Sequence, residues 1–125
     1  MLEPGLEATV EETVTEGMTA EALGSGDVPV LGTPAVLALV EKAACAALTG
    51  EFEAGQTSVG SWVELSHLAP TPVGGRVRAT ARLLEVVAGR KLLFEFSVSD
   101  DRAEIANGTH RRVVIDRARF LGSLA

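Results

Sequence analysis

From Leu6 to Thr15 the chain alternates, with Ala8, Val10 and Val14 on one parity and Glu7, Thr9, Glu11 and Thr13 on the other. A period of two marks a strand with one wet face. Thr19–Gly26 reads as a short helical turn that runs into the breaker Gly24-Ser25-Gly26-Asp27. Thr33-Pro34 then opens the one long helix, because Thr can cap free N–H groups and Pro suits the first turn. The helix is expected over Pro34–Thr49 and stops at Gly50, a helix-ending residue. Its body, AVLALVEKAACAAL, is apolar on nearly every side, which predicts burial. Four further strands are expected: Ser58–Ala69, Arg76–Val87, Lys91–Ser99 and Glu104–Phe120. The turns between them carry Pro70, Pro72, Gly74 and Gly75, then Ala88-Gly89, then Asp100–Ala103.

This order predicts an α+β fold in which an antiparallel sheet of about five strands wraps one central helix, the hotdog layout. No repeat or linker divides the chain, so residues 1–125 are expected to form a single domain. Such a sheet covers only part of the helix, so a homodimer, possibly a higher assembly, is expected to complete the burial.

Composition narrows the function. Aromatics are 4% of residues and the net charge is −6, which argues against nucleic acid as partner. The charge is uneven: residues 1–31 hold seven acids and no Lys or Arg, whereas residues 76–125 hold ten basic residues against six acids. A basic C-terminal half suits a small polyanion such as a nucleotide-bearing cofactor, or is a set of solvated strand faces. Cys45 is alone, the N-terminus lacks the features of a signal peptide, and Pro34–Leu48 is too short and too charged to span a membrane. The expectation is a cytoplasmic protein without a membrane partner.

Glu41 is the residue most out of place, sharing a helical stripe with Leu37, Ala44, Cys45 and Leu48, while Lys42 falls on a side open to solvent. A carboxylate there is desolvated unless a partner compensates. His67 has the parity of Val59, Val63 and Leu65, on the apolar face of its strand. A structural histidine is the bland reading. The sharper one pairs it with Glu41, across the sheet–helix layer or across a dimer interface, for acyl transfer. Gly60 interrupts the strand, as a bulge or as a bare N–H close to a ligand carbonyl. Arg111 and Arg112 point to opposite faces, and His110 reads as a surface residue. HExxH, CxxC, GxSxG and glycine-rich phosphate loops are all absent, so no metal or separate cofactor is expected.

The segments LGTPAVLALVEKAAC (Leu31–Cys45), SVGSWVELSHLAPTPVG (Ser58–Gly74) and NGTHRRVVI (Asn107–Ile115) resemble the fluoroacetyl-CoA thioesterase-like family of hotdog proteins. The resemblance implies a catalytic set of Thr33, Glu41 and His67, with Gly60 holding the thioester carbonyl. It implies that Arg112, last in a G-T-H-x-R pattern, lies on the coenzyme A side, and that active sites sit at a dimer interface. The fluoroacetyl-specific enzyme carries phenylalanines before the threonine, whereas Thr19–Gly32 has no aromatic residue. The resemblance therefore extends to the chemistry and not to the fluoroacetyl group. The expected activity is hydrolysis of a short or small acyl-CoA to free acid and CoA. In that mechanism Thr33 orients the Glu41 carboxylate, and Glu41 either attacks the thioester or activates water. A non-catalytic acyl-CoA binding or sensing module is the alternative. An enoyl-thioester hydratase is a further one, although such enzymes carry an Asp and a His near the helix start and Thr33–Thr49 has neither.

Overall fold

The computed structural model describes residues 1–125. Strand β1 (Glu7–Thr13) is followed by a 3-10 turn (Glu16–Met18), a short helix α1 (Ala20–Leu23) and the long helix α2 (Thr33–Ala47). Strands β2 (Gln56–His67), β3 (Arg76–Val87), β4 (Lys91–Ser99) and β5 (Glu104–Asp116) come next, and a terminal helix α3 (Arg117–Gly122) ends the chain. All five strands form one antiparallel sheet in the order β1-β3-β4-β5-β2. This is the hotdog arrangement expected from the sequence.

The alternation of β3 and β4 does the packing. Val77, Ala79, Ala81 and Leu83 from β3 and Leu92, Phe94, Phe96 and Val98 from β4 are buried, and they meet Val36, Leu39, Val40, Ala43 and Ala44 of α2. The alanines on both sides let the helix lie close to the sheet, and truncating Leu39 there would cost about 2–5 kcal/mol. Only one face of α2 is covered, however: Ala38, Cys45 and Ala46 stay exposed. The outer edge of β2 likewise pairs with no strand of this chain.

Three local expectations change. The last strand ends at Asp116 rather than Phe120, because the Asp116 carboxylate accepts the Arg119 backbone N–H at 2.9 Å and caps α3. The N-cap of α2 is Gly32, with Thr33 the first helical residue and no side-chain capping bond. In β2 a bulge between Gly60 and Trp62 switches the parity of the strand. Ser58 and Gly60 therefore share the inner face with Val63, Leu65 and His67, and Val59 is turned outward against the expected pattern.

Candidate active site

Glu41 projects from the middle of α2 toward β2 and β5. Its Oε2 accepts Arg112 Nη1 at 3.1 Å and lies 4.0 Å from His110 Nε2. The bulge of β2 makes room for it. A Cβ on Gly60 would stand 2.5 Å from Glu41 Oε2 and 3.3 Å from His110 Cε1, so only glycine allows the carboxylate this position. Leu37, Ser61, Trp62 and Val63 complete a cavity of 280 Å³ around Glu41, Gly60 and His110.

Arg112 organises this cluster from within the sheet. It is 6% exposed, and it donates through Nε to Ser58 Oγ (2.9 Å), through Nη2 to Ser58 O (3.2 Å), and through Nη1 to Glu41 and His110. Four of its five donors are engaged. His110 is buried beneath it, with Nδ1 2.9 Å from Trp62 O. A carbonyl only accepts, so Nδ1 carries the hydrogen and Nε2 is free to accept from Arg112 at 3.2 Å. Burial pushes the His110 imidazole below its ordinary range and the Arg112 cation pushes it further, against the opposing Trp62 carbonyl and Glu41 carboxylate. A neutral His110 is the form this geometry requires.

A second pair sits at the start of α2. Thr33 Oγ1 and His67 Nδ1 are 2.8 Å apart. The other ring nitrogen, His67 Nε2, is buried with no hydrogen-bond partner. An orphaned buried polar atom is rare in folded proteins and is a common mark of a functional group. Val30, Leu68, Ala69 and Pro70 line a shallow cavity of 230 Å³ beside His67.

The two clusters are well separated within one chain. Glu41 abuts Gly60, and His67 lies seven residues farther along the same strand against Thr33, which is eight residues or about 12 Å back along α2 from Glu41. Within this chain the Thr33 hydroxyl meets the imidazole and not the Glu41 carboxylate. No set of three or more His, Cys, Asp or Glu side chains converges as a metal site would need.

The chain resembles a known set of proteins in sequence and in fold. A family model described as fluoroacetyl-CoA-specific thioesterase matches residues 14–118. The chain belongs to that family. Fluoroacetyl-CoA thioesterase of Streptantibioticus cattleyicolor is 37% identical over 91 residues, a stretch that covers 73% of this chain and 65% of that protein, just under two thirds of its length. A crystal structure of fluoroacetyl-CoA thioesterase superposes with a TM-score of 0.91 at 30% identity, covering 99% of this chain and 96% of the other. A thioesterase superfamily member from Thermus thermophilus gives 0.90 at 28% identity, covering 99% and 91%.

Family membership bears out the resemblance drawn from the sequence, and the geometry corrects part of the residue reading. His110 is a buried neighbour of Glu41 and not a surface residue. Its signal was present, since His110 has the parity of Arg112 and must share its face. Ser58, which anchors the guanidinium, was hidden by the bulge that reversed the strand's phase. Arg112, which the resemblance puts on the coenzyme A side, bonds Glu41, His110 and Ser58 within this chain and has one N–H to spare for a ligand.

Proposed function

We propose that this protein hydrolyses a small acyl-CoA thioester, with Glu41, His67 and Thr33 as the reacting set at the interface of a homodimer. The observation that carries the reading is a paradox: Glu41 is held ready by Arg112 in one cluster, while His67 has an orphaned Nε2 in another, beside Thr33 and about two helical turns away. A second copy resolves it. The free edge of β2 can pair with itself in antiparallel fashion about a two-fold axis. With that axis between Val63 and Glu64, Gly60 of one chain falls opposite His67 of the partner subunit. Each Glu41 then meets the partner's imidazole, and the exposed face of α2 and Trp62 turn toward the interface.

In this arrangement the thioester carbonyl lies over Gly60, where the missing side chain lets a backbone N–H reach the developing oxyanion. Glu41 either attacks the carbonyl to give an acyl anhydride that water then cleaves, or draws a proton from the water that attacks. In both routes the thiolate leaves and is protonated through the imidazole, which recovers the proton from the water consumed. Thr33 fixes the ring's tilt through Nδ1. Arg112 keeps Glu41 aimed. Crystal complexes of fluoroacetyl-CoA thioesterase variants with acetyl-CoA, and with fluoroacetate and CoA, support a coenzyme A thioester as substrate. Coenzyme A enters as part of that substrate, and the chemistry needs no separate cofactor. A substrate of this class also supports a cytoplasmic location; no helix is long and apolar enough to cross a membrane. The absence of aromatic residues from Thr19–Gly32 favours an acyl group other than fluoroacetyl.

Subunit mixing tests the reading. Glu41→Gln and His67→Ala should each lower kcat by about 10²–10⁴-fold. Unfolding and refolding the two inactive proteins together should restore about a quarter of the wild-type activity, because each mixed dimer regains one intact site. Mixtures that stay inactive while forming dimers would refute a shared site.

A further inference from the structure

Arg112 is buried and nearly saturated, so the anionic end of a coenzyme A substrate must be held elsewhere. The strand pair that carries the site leads to a candidate. From Gly60↔Arg112 the register runs through Ser58↔Val114 to Gln56↔Asp116, four residues or about 13 Å along β2. There a cleft of 710 Å³ opens between the Ala88–Arg90 turn and α3. Arg90 and Arg119 line it with Gln56, Ile115, Asp116 and Phe120.

Its charges are unusual for this molecule. On the N-terminal side of the sheet, Arg76 and Arg78 bond Glu11 and Asp101. Arg90 and Arg119 have no carboxylate within 4.0 Å, and Asp116, the one acid in the lining, accepts the Arg119 backbone N–H instead. Two unpaired guanidinium groups share the cleft with Phe120, which is 37% exposed. Guanidinium forks match phosphate oxygens, and an accessible aromatic face accepts a heteroaromatic base. In a chain of net charge −6, a local positive cleft also draws a polyanion toward it.

We propose that this cleft binds the phosphorylated adenosine end of coenzyme A. Arg90 and Arg119 hold phosphates, the adenine packs on Phe120, and the pantetheine arm follows β2 to Gly60. The proposal rests on the thioesterase reading for its route and is separable from it by experiment. Adenosine 3′,5′-bisphosphate is titrated calorimetrically into the intact wild-type protein and into the Arg90→Ala/Arg119→Ala variant, with inorganic phosphate as a second probe. The nucleotide should bind wild type at least about tenfold more tightly than the variant, and phosphate alone should bind far more weakly. In hydrolysis, the double variant should raise KM for an acyl-CoA and leave turnover of the matching acyl-pantetheine unchanged. Nucleotide binding absent from wild type, unaltered in the variant or equalled by inorganic phosphate would overturn the cleft. So would an equal loss on acyl-pantetheine. If neither thioester is hydrolysed while arginine-dependent nucleotide binding persists, the thioesterase reading falls and the cleft stands.

Discussion

The middle of α2 and its first residue handle polar groups in opposite ways. At Glu41 most neighbouring donors and acceptors are matched within one chain: Arg112 serves the carboxylate, His110 and both oxygens of Ser58, and His110 in turn serves Trp62. At Thr33 the pairing stops at His67 Nδ1, and Nε2 is left alone. The first cluster is preorganised, so its geometry is fixed before any ligand arrives. The second is open, and its remaining valence has to be met from outside the chain. A site divided this way stays incomplete until a second surface brings the two halves together.

The largest effect expected from breaking the matched cluster comes from the smallest change. Gly60→Ala would place a methyl group 2.5 Å from Glu41 Oε2. The carboxylate is the free end of a side chain and can swing aside, so the fold should survive with its melting temperature nearly unchanged. A displacement of about 1 Å at the reacting group should nonetheless cost about 10²-fold in kcat. A Gly60→Ala protein with normal kcat would show that Glu41 needs no such placement.

Next comes the clamp. Arg112→Ala orphans the Ser58 carbonyl and His110 Nε2 in a buried setting, at a cost of about 1–3 kcal/mol. Glu41 is 41% exposed, so water screens its share of the loss. Arg112→Lys should recover little, because an ammonium cannot reproduce the fork that reaches Ser58, Glu41 and His110 together. Thermal unfolding of the three proteins checks this. A lysine variant as stable as wild type would reduce Arg112 to a simple counter-charge.

The sequence disclosed the frame of the molecule more fully than its site. Strands β3 and β4 were legible to the residue because they alternate cleanly and face one core. Helix α2 was legible because its apolar run is bounded by Pro34 and Gly50. Glu41 stood out as a charge on an apolar stripe. What the sequence concealed depends on contacts between distant residues. The bulge after Gly60 reverses the phase of β2, so no fixed period could put Ser58 and His67 on one face. The partners of Glu41 come from β5, some seventy residues later. Thr33 looked like a cap because Thr before Pro usually is one, and only the approach of β2 gives its hydroxyl another partner.

The pH dependence of stability probes the matched cluster with a smaller signal. His110 is held below its ordinary value of 6.5, so the unfolded chain takes up this proton first as the pH falls. Stability due to the neutral imidazole is therefore complete above about pH 6.5 and declines below it, until the folded protein is protonated as well. His110→Gln removes that titration. The gap in melting temperature between wild type and His110→Gln should narrow between pH 7.5 and pH 5, with contributions from other groups cancelling in the difference. A gap that stays constant or widens on acidification would mean that His110 is charged in the folded protein.

The smallest expected effect on stability belongs to Thr33 and tests the open cluster. A threonine acting as helix cap contributes about 1 kcal/mol, which is lost when its oxygen is removed. Here the cap position is Gly32, and the Thr33 hydroxyl makes no capping bond. Thr33→Val keeps the branched shape and deletes only the oxygen that meets His67 Nδ1. His67 Nδ1 lies toward the exposed Thr33 side and can turn to water, so the variant should lose less than about 0.5 kcal/mol, as surface substitutions usually do. Turnover should respond differently, because a ring without its tether no longer presents Nε2 at a fixed angle. Thr33→Ser, which retains the hydroxyl, should recover most of the kcat that Thr33→Val loses. If instead Thr33→Val lowers stability by a full cap's worth and leaves kcat alone, then Thr33 does only what its place before Pro34 suggests, and the open cluster shrinks to His67.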